Sequence, residues 1–297
     1  MRYQLPMQYL DTVARVGSIR KAAEQLAITS SALNRRIIAM EEDLGVPVFD
    51  RIPNGVRLNA AGELLIHHIR SQLADMEKVK SQIHDLQGVR RGHIAIAASQ
   101  ALMPSILPLQ MQLYRQQHPQ ISFSVRVCTR HSAITELQSF NADLVVVFEP
   151  EITPEFESVL AVPQQLHVQY QPKHALAGNS EIRLRECLQW PLAVPTKHNG
   201  IRHLLERSAA PLSCVPNIAV ESDNTHLLQR VVENSDLVSF AFSAGLPKHD
   251  AVPTLEHRPV CCTDVEPGML HVGRLKGRHL SVAAAKFLDQ LTHFLHS

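Results

Sequence analysis

Apolar positions in the N-terminal part of the chain recur at three- and four-residue steps, the period of amphipathic helices. Leu5, Tyr9, Leu10, Val13 and Val16 predict a first helix. Ser18 suits an N-cap for a second, which carries Ala22, Ala23 and Leu26 on one face. Small alanines there let another helix approach closely. Ala27-Ile28-Thr29 is a connector of the length found in a helix-turn-helix, and Thr29 or Ser30 can cap the next helix. On that helix Leu33, Ile37, Met40 and Leu44 form a continuous inward stripe, and Gly45 supplies the stop. Arg51 and Arg57 flank Pro53-Asn54-Gly55, a turn signal that predicts a small basic hairpin, or wing. From Asn59 a long helix is expected to run to about Gln87, with Gly88 beyond it. Its apolar positions Leu65, Ile69, Met76, Val79, Ile83 and Leu86 make a heptad seam with one gap. Such a seam needs cover, from its own domain or from the same helix of another subunit; the spacing favours the second.

From Gly92 onward the pattern changes to alternating strands and helices. Residues 93–98, 121–127, 143–148, 192–195, 217–221 and 237–242 read as strands. Pro104 to His118, Ser132 to Phe140, Ile201 to Ser208, 223–233 and Val282 to Phe294 read as helices, the last burying Ala285, Leu288, Leu291 and Leu295. That alternation predicts a largely parallel sheet. The fold class is therefore α/β overall. A winged helix-turn-helix (1–58) and a linker helix (59–89) precede a C-terminal α/β domain (90–297).

Charge gives this architecture a use. The net charge is only +1, so any affinity for nucleic acid must come from a local patch. Residues 15–36 hold Arg15, Arg20, Lys21, Arg35 and Arg36 against Glu24 alone, whereas 37–50 hold Glu41, Glu42, Asp43 and Asp50 with no base. Ser30, Ser31, Asn34, Arg35 and Arg36 occupy the first turns of the third helix, away from its apolar stripe. Those positions enter the major groove in this motif, where Arg pairs with guanine, Asn with adenine and Ser with either. Arg20 lies where phosphates would be, and Arg51 and Arg57 on the wing would contact backbone or minor groove.

Other chemistry is not signalled. Seventeen histidines follow no ligand spacing, and there is no HExxH, paired CxxC, glycine-rich phosphate loop or G-x-S-x-G. No metal, cofactor or catalytic residue is expected. Five irregularly spaced cysteines fit a reducing cytoplasm, with redox sensing left open. No stretch approaches the roughly 18 apolar residues of a membrane span, and no leader pattern opens the chain.

The string AAEQLAITSSALNRRIIAMEEDLGVPVFDR, followed by Val56-Arg57-Leu58 and Ala61-Gly62, resembles the N-terminal domain of LysR-type transcriptional regulators. Ser18, Ala22-Ala23, Leu26, Arg35, Ile37, Glu41, Leu44-Gly45, Phe49, Arg51, Leu58 and Gly62 carry the resemblance without a gap. Ser30 and Asn34 depart from the glutamine and serine common there, both on the base-reading face. The strand order after residue 92 resembles the effector region of the same family, as do Gly92-His93-Ile94, His118-Pro119, Asp143-Leu144 and Pro172-Lys173-His174. That region has two lobes related to periplasmic binding proteins, here about 92–162 plus 263–297, and 163–262. The resemblance implies promoter DNA as partner and a homodimer or homotetramer built through linker helices and effector domains. It also implies a small organic effector, an anion among the options, between the lobes. The carboxyl ends of the strands place Ser99, Gln100, Thr129, Arg130 and Phe148 on one side of that cleft. Thr196 and Asn199 lie on the other, before a helix N-terminus suited to an anion. Ser99, Thr129 and Thr196 match positions that bind effector in the family, although a helix cap needs the same residue types. An enzyme or transport-type binding protein could share the two-lobed fold, but would have no use for residues 1–89.

Overall fold

The computed structural model describes residues 4–86, 91–178, 180–212, 214–246 and 254–296, apart from the side chains of 81 and 84–86. The chain forms two compact units that divide between Ile83 and His84.

In the first unit, α1 (Leu5–Val16), α2 (Ile19–Gln25) and α3 (Ser30–Leu44) precede a hairpin, β1 (Phe49–Ile52) and β2 (Gly55–Leu58), and then α4 (Ala60–Leu86). The predicted caps form. Ser18 Oγ accepts the Lys21 N–H, Thr29 Oγ1 accepts the Ala32 N–H, and Asn59 Oδ1 accepts the Gly62 N–H. Gly45 ends α3 at φ 72°, a left-handed conformation that glycine adopts at little cost. Leu10, Val13, Ala22, Ala23, Leu33, Ile37, Val48, Phe49 and Val56 close one core. The hairpin is tied down twice. Val56 N–H donates to Gly17 O (2.9 Å), and Glu41 Oε1 accepts the Val48 and Phe49 N–H groups (2.8 and 3.2 Å).

Two expectations need correction here. Leu44 is 47% exposed and Met40 only half-buried. Met40 still packs against the core, but Glu42 and Asp43 are exposed beside Leu44, so the inward stripe ends at Met40 and the last turn of α3 lies beyond the core. The seam of α4 is also divided. Ile66 and Ile69 are buried in the unit's own core, with Leu65 and Leu73 packed against it. Arg70 Nε donates to Asp11 (2.6 Å), which also accepts from Arg15 (2.8 Å), fastening α4 to α1. Farther along, Val79 and Ile83 are each 44% exposed. Gln87 and Gly88, the expected helix end, lie outside the described residues.

The second unit holds β3 (Gly92–Ala98), α5 (Ile106–Gln117), β4 (Ile121–Val127), α6 (Ser132–Gln138), β5 (Leu144–Phe148), β6 (Phe156–Gln164) and β7 (Leu166–Tyr170). It continues with α7 (Leu184–Cys187), β8 (Leu192–Val194), α8 (Gly200–Ala209), β9 (Ile218–Glu221), α9 (Thr225–Val232), β10 (Ser239–Phe242), β11 (Glu256–Pro259), β12 (Gly268–Leu275) and α10 (Val282–His296). One sheet has the order β4-β3-β5-β12-β6. A second has the order β10-β7-β11, and β8 pairs with β9 beside it through a bridge from Leu192 to Val238.

The sheets are mixed rather than largely parallel. Pairs β3/β4, β3/β5 and β8/β9 are parallel, but β12 runs antiparallel between β5 and β6, and β7 is antiparallel to both neighbours. The chain passes from the first sheet to the second across Gln165 alone and returns between Pro259 and Gly268. Pro163 and Gln164 still pair with β12, so β6 stays in the first sheet two residues past the expected crossing. A continuous apolar core joins the two lobes, running from Ile94 and Ile96 through Phe148 to Phe242 and Val260. On α10 the buried side chains are Ala283, Ala284, Phe287, Leu288 and Leu291, while Ala285 and Leu295 are only partly covered.

Candidate nucleic-acid interface and interlobe site

Helix α3 turns Leu33 and Ile37 inward. Opposite them, Ser31 and Arg35 are exposed, Ser30 is exposed in the first turn, and Arg35 makes no hydrogen bond or ion pair among the described residues. Ser31 Oγ lies 3.2 Å from the capping Thr29 hydroxyl. Two predicted readers are already engaged. Asn34 is half-buried and its Oδ1 accepts from Arg51 Nη2 (3.2 Å), while the Arg36 guanidinium lies 4.7 Å from the centre of the Tyr9 ring. Arg20 is exposed on α2, and Arg57 faces Asp50 across the hairpin at 3.8 Å. Ile38 is exposed one turn beyond Asn34. The apolar period alone would have assigned it no role, since it belongs to neither the buried stripe nor the polar set.

In the second unit the carboxyl ends of β3, β4 and β5 meet elements of the other lobe. Ser99 is buried, and its Oγ accepts the Phe148 N–H (3.2 Å). Gln100 Oε1 reaches across to the first turn of α9, accepting from the Thr225 N–H (3.1 Å) and hydroxyl (3.2 Å). Thr129 Oγ1 accepts the Ser132 N–H (3.2 Å), so it serves the start of α6 as a cap. Arg130 Nε donates to Glu149 O (2.8 Å), and its backbone N–H donates to His198 O (3.3 Å) in the other lobe. The His131 ring contacts Glu151 and packs edge-on to His198. The Phe148 ring lies 4.5 Å from that of Phe242, and a Cβ on Gly200 would fall 2.6 Å from Phe148 O. Thr196 donates to Asp223, and Asn199 Oδ1 caps α8 through the Ile201 N–H (2.9 Å). Phe148, Asn199, Arg130 and Gln100 are therefore brought to the junction of the lobes.

Residues 6–63 match the bacterial regulatory helix-turn-helix proteins of the lysR family, and residues 87–295 match the LysR substrate binding domain. The chain belongs to the LysR family of transcriptional regulators. It is 27% identical over 201 residues to the RuBisCO operon transcriptional regulator of Allochromatium vinosum, covering 68% of this chain and 66% of that one. It is 24% identical over 290 residues to the uncharacterized HTH-type transcriptional regulator YybE of Bacillus subtilis (strain 168), covering 97% and 98%. A full-length OxyR variant from Pseudomonas aeruginosa shares the fold with a TM-score of 0.77 at 16% identity, covering 99% of this chain and 94% of that one. Members of this family are DNA-binding regulators of transcription, not enzymes.

Among the described residues of this LysR-family chain, no group of three His, Cys, Asp or Glu side chains is placed to hold a metal, and no helix is long and apolar enough to cross a membrane. Burial pushes the Cys128 and Cys187 thiols up to about 12, so neither forms a reactive thiolate near neutral pH. Thr225, His198 and Phe242 were not singled out from the sequence. They sit at the start of α9, before α8 and at the end of β10, where the same strand-end rule would have found them.

The second unit also has a pH signature. His167, His203, His257 and His271 are all held below the ordinary histidine value of 6.5, in each case first by burial. Arg130 adds to the effect at His203, and His257 adds to it at His167. The unfolded chain binds these protons at higher pH than the folded one does. Their contribution to stability is thus complete above pH 6.5 and is lost as pH falls below it. Glu157 and Asp264, lowered first by hydrogen bonds from Arg274 and Arg183, act only in the carboxylate window near pH 4 and below. The calorimetric midpoint of the second unit is expected to fall between pH 7 and pH 5; a midpoint that rose over that range would contradict the burial of these imidazoles.

Proposed function

We propose that this regulator reads operator DNA with the outer face of α3 and that a small organic molecule between the lobes modulates its binding or its activation of transcription. Ser30, Ser31, Asn34 and Arg35 face base edges, Arg36 stays with Tyr9 beside the backbone, and Arg20, Arg51 and Arg57 meet phosphate or minor groove. The observation that carries this reading is Arg35, exposed and uncommitted on a helix whose opposite face is buried. Ile38, exposed on the same outward side, suits thymine methyls.

The effector site is assigned to Ser99, Gln100, Thr129, Arg130, Phe148, Thr196 and Asn199. Each already has an internal partner, so an effector must exchange for some of those contacts, the Gln100 to Thr225 pair above all. Arg130 beside the N-terminal end of α8 favours an anion. Differential affinity for two lobe arrangements then supplies the coupling to DNA. Exposed Val79 and Ile83 on α4, Leu109 and Leu113 on α5, and Val215 and Ile218 supply apolar surface for a homodimer or homotetramer. Two recognition helices would address half-sites about 34–36 Å apart or multiples of it. The protein works in the cytoplasm, where its DNA is.

A mobility-shift titration tests the reading. On an operator recovered by selection from genomic fragments, Arg35→Ala is expected to weaken specific binding about tenfold or more while leaving non-specific binding nearly unchanged. Unaltered specific affinity would remove α3 from the groove.

A further inference from the structure

We infer that Arg51 sets the base preference of Asn34 by occupying its carbonyl oxygen, so that Asn34 offers the major groove a donor-only amide. The inference rests on the operator-reading role proposed above for α3. Asn34 and Glu41 lie two helical turns apart on one side of α3, roughly 10 Å along its axis. Strand β1 runs back along that side. Glu41 holds its beginning through the Val48 and Phe49 N–H groups, and Arg51 reaches Asn34 two residues later. Across the hairpin Arg51 is the partner of Val56, whose N–H is fixed to Gly17 O. The backbone carrying Arg51 is thus placed by groups that do not touch Asn34.

The chemistry follows from the donor inventory. An asparagine reads adenine with both ends of its amide, accepting from the 6-amino group and donating to N7. A guanidinium has only donors, so it can bond only the amide oxygen and thereby fixes which way the amide points. The amide oxygen keeps a second lone pair, but the positive charge already bonded to it stands against a second donor there. What remains is the Nδ2 amino group. It matches the acceptor pair of guanine, or thymine O4; at adenine it reaches N7 alone and leaves the 6-amino group unanswered, and it has nothing to offer the amino group of cytosine. Arg36, turned onto Tyr9, does not compete for Asn34. Arg51 is therefore a positioning residue for specificity, beyond any contact of its own with the sugar-phosphate chain.

Base preference, not affinity, is the readout. Randomised duplexes are selected with the full chain and with its Arg51→Met, Arg51→Lys, Asn34→Ala and doubly substituted variants. The unsubstituted protein is expected to select guanine or thymine at the position opposite Asn34. Arg51→Met, which keeps an apolar stem and removes the donors, is expected to shift the adenine-to-guanine ratio at that one position about tenfold toward adenine. Arg51→Lys keeps the original preference, because an ammonium also only donates. Asn34→Ala erases the preference there, and adding Arg51→Met then changes no ratio further. An unchanged ratio in Arg51→Met would overturn the inference. So would an equal shift in the Asn34→Ala background, which would mean that Arg51 reads the base itself. Failure of the unsubstituted protein to select any motif would instead overturn base reading by α3, and the pairing role with it.

Discussion

Gly62→Ala is expected to cost the N-terminal unit about 3 kcal/mol or more while leaving the unfolding of the C-terminal unit where it was. Gly62 stands in the first turn of α4, packed directly against the strand that enters the wing. A Cβ there would fall 2.1 Å from Val48 O, 3.0 Å from Val48 C and 2.9 Å from a Leu58 methyl. The nearest atom is a backbone carbonyl that cannot swing away, because it accepts the Asn59 N–H (3.2 Å) and the Val48 N–H is bound to Glu41. Relief must come from moving α4 off the hairpin. That breaks the bond from Asn59 Nδ2 to Pro47 O (2.9 Å) and disturbs the seats of Ile66 and Ile69. For a unit this small the loss amounts to roughly 10–25 °C in midpoint, seen as a shift of one calorimetric transition. Gly45→Ala is the control. Nothing lies within 4 Å of its added Cβ, so only the left-handed φ of 72° is penalised, at about 1 kcal/mol. Equal losses in the two variants would show that the approach of α4 to β1 is not rigid.

The N-terminal unit was legible because its determinants are local. Caps at Ser18, Thr29 and Asn59, the stop at Gly45 and the inward Leu33 and Ile37 are set by neighbours within a few residues. Periodicity does not show where a core ends, so it places Leu44 inside. Nor does it show which surface a stripe faces, so the heptad spacing favours a partner helix for Leu65 and Ile69, which the fold gives to their own core. In the C-terminal unit the strands β6, β7, β11 and β12 escaped detection for physical reasons. Pro163 reads as a breaker, yet β6 is the edge strand of its sheet, where a missing N–H is tolerated. Strand β11 is Glu-His-Arg-Pro, with no apolar signal at all. In β12, Gly273 weakens the pattern, but a Cβ there would lie 2.3 Å from the Phe156 ring. At the candidate site the strand-end rule located the residues but not their partners. Ser99 bonds Phe148, Gln100 bonds Thr225 and Arg51 bonds Asn34, pairings that only the folded chain brings together.

Phe148→Ala is expected to lower the midpoint of the C-terminal unit by roughly 6–20 °C, the equivalent of about 3–5 kcal/mol in a unit of this size. The ring ends β5 in one lobe and stacks on Phe242, which ends β10 in the other. Both are almost wholly buried, and they belong to the single core that spans the lobes. The cost depends on whether the site can collapse. Phe242 is seated closely on Gly268, where a Cβ would fall 2.4 Å from Phe242 Cε1, so following the missing ring would give up that contact. The backbone of Phe148 is held just as firmly, with its N–H on Ser99 and its carbonyl against Gly200. The void therefore persists, which puts the loss toward the upper end of the range. A dry apolar cavity should accept a small apolar probe, so benzene is expected to raise the midpoint of Phe148→Ala and leave that of the unsubstituted protein unchanged. Phe148→Leu, which fills most of the space, is expected to lose far less. A Phe148→Ala transition indistinguishable from that of the unsubstituted protein would mean that the two rings do not hold the lobes together.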